Sequence, residues 1–227
     1  MSENVLHTLL LATAFIVLFG IAEIMYHTFS VPAETTRKIV HVGTGLLTLL
    51  FPVYISDHWF VLALCSSFFI LLWASQHKGW FPSIHAVDRE TVGGLMFPII
   101  VYGCFLLFKQ FGEMHMYYIP ILILTFSDTC AELAGKKWPL KKYHFGGSQK
   151  SIGGSLAFFI SALIIAFLFL QSNAHVPLLN LILYSTSIAV CTTIAEGLSG
   201  KGYDNLTIPA VTAILLLVLH TFDCVQT

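Results

Sequence analysis

About eight stretches of this 227-residue chain are apolar over close to the roughly 20 residues that a helix needs to cross a bilayer. They cover about 5–26, 37–55, 59–75, 93–110, 117–134, 152–171, 177–197 and 207–223, and most of the polar connections between them are brief. The pattern predicts an all-α integral membrane protein with about eight transmembrane helices in one bundle. Composition agrees, since only 10% of residues are charged and 56% are hydrophobic, where a soluble domain carries about a quarter charged residues. Mean hydropathy is +0.81. A formal net charge of -1 leaves no basic footprint, and nucleic acid is not expected as a partner. No repeat or low-complexity tract interrupts the pattern, so residues 1–227 read as a single polytopic domain embedded in the lipid bilayer. Its loops on one side fall at about 27–37, 76–92, 135–151 and 198–206.

The lead Met1-Ser2-Glu3-Asn4 lacks the basic n-region of a signal peptide, so the first stretch reads as a retained helix. Cys65, Cys104, Cys130, Cys191 and Cys224 sit singly, without metal spacing, and read as small buried hydrophobes.

Eight crossings make the loops alternate between two sides, and the cations then separate. Arg37, Lys38, Lys78, Arg89, Lys136, Lys137, Lys141, Lys142, Lys150 and Lys201 share one side, and Lys109 alone takes the other. By the positive-inside rule the rich side is cytoplasmic and both termini face away from it. Lys78 and Arg89 read as topology signals; the cluster at 136–150 asks for more.

Ionisable residues inside apolar helices cost about 2.5–3.5 kcal/mol each on insertion scales and mark function. Asp128 and Glu132 lie four apart in the fifth stretch, on one helix face. Paired carboxylates beside a phosphate site suit Mg²⁺. Immediately downstream come Gly135-Lys136-Lys137, then Gly146-Gly147-Ser148-Gln149-Lys150-Ser151-Ile152-Gly153-Gly154-Ser155. Glycine-rich backbone feeding a helix N-terminus makes an anion cradle. It is no Walker A motif, because Gln149 stands where the second glycine belongs. Arg37, Lys38 and His41 share a face at the start of the second stretch, and Glu196, Asp204 and Asn205 flank a glycine-rich loop before the last. Glu23, inside the first stretch, has no evident partner.

Arg37-Lys38-x-x-His41, Asp128-x-x-Ala131 with Gly135-Lys136-Lys137, Lys150 through Ser155, and Glu196 followed by Asp204 through Pro209 together resemble the polyprenol kinase family, which includes phytol, dolichol and CTP-dependent diacylglycerol kinases. The resemblance runs from about 37 to 209 in order. It implies transfer of the γ-phosphate of a nucleoside triphosphate, typically CTP, to the hydroxyl of a membrane lipid alcohol, with Mg²⁺ as cofactor and the active site at the cytoplasmic helix ends. On that resemblance Asp128, with Glu132, holds the metal. Lys136, Lys137, Lys150 and the Gly153–Gly154 backbone bind phosphates, with Gly135 and Ser151 beside them and Arg37 and Lys38 helping. His41, Glu196 and Asp204 complete the catalytic set: Glu196 or Asp204 orients or deprotonates the lipid hydroxyl, and Asn205 fixes that loop. A CTP:phosphatidate cytidylyltransferase shares the intramembrane Asp and the Lys-Ser helix start, but this chain is short for one. It also lacks the extended acidic C-terminal signature expected there. An anionic-solute transporter would place charges in the middle of several helices and often shows repeat symmetry, whereas here the charges crowd one mouth and no repeat is visible. No residue pattern selects among lipid alcohols or indicates an oligomeric state.

A topology reporter inserted in the 135–151 loop is expected to report the cytoplasm, and one beside Lys109 the opposite side. A reporter that puts Lys150 outside the cell overturns the orientation.

Overall fold

The computed structural model describes residues 3–85, 92–145, 148–172 and 176–226; Arg89, Gly146 and Gly147 lie outside them. The chain runs through α1 (Glu3–Phe29), α2 (Ala33–Thr48), α3 (Phe51–Tyr54), α4 (His58–Lys78), α5 (Pro82–His85), α6 (Gly93–Phe111) and α7 (His115–Leu122). A π-helical turn at Ile123–Ser127 leads directly into α8 (Asp128–Lys137). Then come β1 (Lys142–Phe145) and β2 (Ser148–Ser151), followed by α9 (Ile152–Gln171), α10 (Leu178–Leu198) and α11 (Asp204–Gln226).

All eight apolar stretches are helical, but among the described residues only α1, α4, α6, α9, α10 and residues 204–221 of α11 are long and apolar enough to cross a membrane. The two exceptions have physical reasons. α2 has 16 residues, or about 24 Å at 1.5 Å per residue, short of a core about 30 Å thick. The α7–α8 stretch is broken by the π turn and carries Asp128, Glu132, Lys136 and Lys137 in its second half. It is also the most enclosed element. Met116, Tyr117, Ile119, Ile121, Ile123, Leu124, Thr125 and Ser127 are all fully buried. The longer helices around it expose large apolar side chains such as Leu9, Ile16, Ile164 and Leu183, as a lipid-facing surface requires.

α2 lies antiparallel to α7–α8, and its positions 45 and 48 make the deep contacts. Tyr117 Oη donates to Thr48 O at 2.7 Å. A Cβ on Gly45 would stand 2.1 Å from Thr125 Oγ1, so only glycine lets the two backbones come this close. A comparable approach joins α8 to α9: a Cβ on Gly153 would meet Trp138 O at 2.0 Å, and one on Gly154 would meet Ala131 O at 2.8 Å. Glycines expected to cradle an anion are thus demanded first by packing.

Three connections differ from expectation. The first loop is only residues 30–32, because α1 and α2 extend into it. The 135–151 segment begins as helix and continues as an antiparallel hairpin with Tyr143 opposite Lys150, the one departure from all-α structure among the described residues. Residues 199–203 join α10 to α11. Glu23 gains a partner that the sequence did not reveal. It accepts from Ser83 N at 3.2 Å and from Ser83 Oγ, with His27 Nε2 at 3.2 Å, and so staples α5 to α1. Cys65 and Cys104 are buried as expected, whereas Cys130 is exposed.

Gly153→Ala is expected to lower stability by about 1–3 kcal/mol, the range for forcing an extra carbon into a packed contact, measured by thermal unfolding in detergent. Gly103→Ala, where a Cβ would meet nothing within 4 Å, serves as the neutral control. Equal melting of the two variants overturns the packing role.

Candidate functional site

The helices alternate in direction, so the N-terminal parts of α2, α6, α9 and α11 and the C-terminal parts of α4, α8 and α10 meet at one end of the bundle. They enclose a cavity of about 660 Å³. Arg37, Lys38, His41, Asp128, Glu132, Gly135, Lys136, Lys150, Ser151, Gly154, Glu196, Asp204 and Asn205 all line it. Two candidates do not. Lys137 stacks over Trp138, 4.6 Å from its ring centroid, and Gly153 faces the Trp138 carbonyl. Residues that sequence reasoning left out of the site also line it, among them Glu34, Gly93, Gly94, Lys142, Gln149, Ser155 and Lys201.

The cavity's charges form two networks. On the α2–α8 side, Glu132 takes Lys38 on one carboxylate oxygen and Lys136 on the other at 2.9 Å, and Lys136 also reaches Glu34 at 3.0 Å. On the far side, the hairpin carries Lys150 inward. Tyr143 Oη pairs with Ser155 Oγ at 2.7 Å, and Ile152 N donates to Lys141 O at 3.0 Å, pinning the hairpin to the start of α9. Lys150 Nζ donates to Glu196 Oε1 at 2.5 Å and lies 4.0 Å from Asp204 Oδ2. Burial pulls the Lys150 ammonium down, but the charges of Glu196, Asp204 and Asp128 outweigh it and leave its pKa raised. Lys150 is therefore charged throughout the physiological range. Glu196 is 3% exposed, and its Oε2 has no hydrogen-bond partner among the described residues. Arg37 and Lys142 enter no ion pair among the described residues, so these two cations are open to an incoming anion.

Asp128 begins α8 directly after the π turn, and its backbone N–H bonds back to Ile123 O. His41 Nε2 sits 3.3 Å from Leu124 O and 4.0 Å from Asp128 Oδ2. A carbonyl can only accept, so the contact with Leu124 O is a hydrogen bond when Nε2 is the donor. Helix periodicity gives no hint of this turn. π turns of this kind recur at functional sites.

The N-terminus of α9 is less open to an anion than its glycines imply. Ser151 Oγ accepts from Gly154 N at 3.1 Å and caps the helix, and Ile152 N is already engaged. Asn205 packs on α6, its amide nitrogen 2.8 Å from where a Gly93 Cβ would stand. For Mg²⁺, the Asp128–Glu132 pair fits poorly, because both Glu132 oxygens are held by lysines. Among the described residues no three His, Cys, Asp or Glu side chains gather closely enough to hold a metal alone. Asp128 fits better, being 19% exposed with no lysine or arginine paired to it. Mg²⁺ commonly takes one or two carboxylates and completes its shell with water and substrate phosphates.

No family model matches the chain, and no solved structure matches it. Among curated proteins, it is 28% identical over 195 residues to phytol kinase from Synechocystis sp. (strain ATCC 27184 / PCC 6803 / Kazusa), covering 86% of this chain and 83% of that one. The similarity supports the resemblance to polyprenol kinases and, at a distant level, kinship with lipid-alcohol kinases in a multi-pass membrane setting.

Removing Lys150 strands a buried carboxylate. Lys150→Met is expected to cost about 3–5 kcal/mol, and the double variant Lys150→Met/Glu196→Leu to recover much of that loss. Thermal unfolding of the four proteins in the cycle checks this, and strictly additive effects would overturn the pairing.

Proposed function

We propose that this protein is a lipid-alcohol kinase that transfers the γ-phosphate of a nucleoside triphosphate to the hydroxyl of a prenol, polyprenol or diacylglycerol. CTP as donor follows from the family resemblance. The observation that carries the reading is the convergence, in one cavity at the end of an apolar bundle, of two unpaired cations, a charged Lys150 and two reachable carboxylates. A charged nucleotide can enter from water there while a greasy alcohol arrives from the bilayer.

Phosphoryl transfer depends mainly on positioning and charge neutralisation. Arg37 and Lys142 would take phosphate oxygens, and Lys150 would add a third positive charge at the reacting end. Asp128, oriented by His41, would hold Mg²⁺ together with phosphate oxygens. The ion would neutralise charge that builds on the phosphates. The alcohol oxygen attacks the γ-phosphorus, the bond from that phosphorus to the bridging β-phosphate oxygen breaks, and the nucleoside diphosphate leaves. The hydroxyl proton would pass to Asp204, which is 22% exposed and faces Lys150. Glu196, which accepts from Lys150 and is 3% exposed where it lines the cavity, would position Lys150. The one-sided cations support a cytoplasmic cavity, with α2 and α7–α8 running alongside the six longer helices and both termini opposite.

The test is detergent-purified protein given CTP labelled at the α- or γ-phosphate, ATP, and a panel of lipid alcohols and phosphatidate. Label from the γ position entering the alcohol is expected. Label from the α position entering lipid would favour the cytidylyltransferase reading, and no transfer from any nucleotide overturns both. Asp128→Asn is expected to lower kcat by roughly a hundredfold or more, as loss of a charge-stabilising group does. Full activity in that variant removes the metal assignment.

A further inference from the structure

A second, smaller space of about 40 Å³ lies among α1, α2, α4 and α6. It adjoins the polar cavity, sharing Phe19, Thr44, Leu72 and Phe97 with it. Beyond those four its walls include Phe15, Phe51, Phe68, Pro98 and Val101. The hydroxyls that line it are spent on α2 itself: Thr44 Oγ1 donates to His41 O at 3.0 Å, and Thr48 Oγ1 donates to Gly45 O at 2.7 Å. Water entering this cleft would find no free hydroxyl donor, and an apolar space poor in polar partners stays dry and takes hydrocarbon instead.

The junction of the two spaces is marked chemically. Thr44 hydrogen-bonds to the backbone of His41, whose ring lies 6.4 Å from that of Phe97 and whose Nε2 is 4.0 Å from Asp128. A chain threaded through the junction therefore has its polar end beside Asp128 and its apolar end among phenylalanines. A water-sized position takes roughly 10–15 Å³ on this measure, so the cleft has room for about three or four in a row. That suits the first few carbons of one slender chain and not two acyl chains on a glycerol.

We infer that this α1–α2–α4–α6 cleft receives the hydroxyl-proximal carbons of the alcohol's tail and selects a single chain over a branched, two-chain headgroup. The inference rests on the kinase reading above, and it adds where the tail lies and which alcohols enter.

The experiment uses the full chain in lipid nanodiscs and a long-chain prenol carrying a diazirine a few carbons from the hydroxyl. Photolabel is expected on Cys65, Phe68 or Val101, with diacylglycerol competing roughly tenfold less well than unlabelled prenol. Val101→Phe, which fills the cleft, is expected to cut the preference for a prenol over diacylglycerol by roughly tenfold or more, read as the ratio of kcat/KM values. Label on the lipid-facing sides of α9 and α10 overturns the proposal, as does diacylglycerol competing equally. If Val101→Phe fails to fold, the wild-type photolabel decides alone. Cleft labelling without phosphate transfer from any nucleotide keeps the cleft and removes the kinase reading, whereas transfer without cleft labelling does the reverse.

Discussion

The close antiparallel contact between α2 and the α7–α8 segment is the interaction on which the rest of the molecule depends. Its rungs are Lys38–Glu132, His41–Asp128, Gly45–Thr125 and Thr48–Tyr117, spaced three and four residues apart along one face of α2. The two inner rungs are a backbone contact and a buried hydrogen bond, and they hold the pair together where no water reaches. The two outer rungs, the Lys38–Glu132 ion pair and the approach of His41 to Asp128, open into the cavity. One helix face thus passes from packing to chemistry within about two turns, and the glycine at 45 brings the polar half near enough for His41 to reach Asp128.

This arrangement explains why the two least apolar segments can sit in a membrane protein at all. A carboxylate in hydrocarbon is costly, and the cost falls when other protein surrounds it or it lines a water-filled cavity. α1, α4, α6, α9, α10 and α11 present most of the apolar surface, and most charges of α2 and α8 turn into the cavity. The cations do not all wait for a ligand. Lys38 and Lys136 are occupied by Glu132 and Glu34, and Lys150 by Glu196 and Asp204, so much of the positive charge serves to hold the carboxylates and the helix ends in place. Arg37 and Lys142 enter no ion pair among the described residues. Groups held in place in this way need less reorganisation if charge develops beside them.

Much of the plan was legible in residue order. Apolar runs of near-spanning length locate the helices, and the placement of lysines brings loops far apart in sequence to one end of the bundle. Most candidate residues line one cavity because alternating helices must return their connections to the same side. Other features have no sequence signature. The π turn at 123–127 is a choice of hydrogen-bond register made by packing, and Ile-Leu-Thr-Phe-Ser carries no sign of it. Partnership is equally hidden. Asp128 and Glu132, four apart on one face, look like a pair, yet Glu132 turns to Lys38 on another helix. The same blindness left Glu23 without a partner until Ser83 appeared 60 residues away.

The glycines carry the sharpest lesson about reading such sites. Gly-Gly before an apolar helix, preceded by Lys-Ser, has the look of an anion cradle. Yet both glycines lie against α8, one on the Trp138 carbonyl and one on the Ala131 carbonyl, and Ser151 spends its hydroxyl on the helix cap. Their effect on the site is still large, because this contact sets the separation of α8 from α9. α8 carries Asp128, and the hairpin that enters α9 carries Lys150. A wider contact would draw the two apart and weaken a field that helps keep Lys150 charged in a half-enclosed place. A small-residue motif beside a functional loop can therefore be essential to the chemistry through the distance it permits, without touching the ligand.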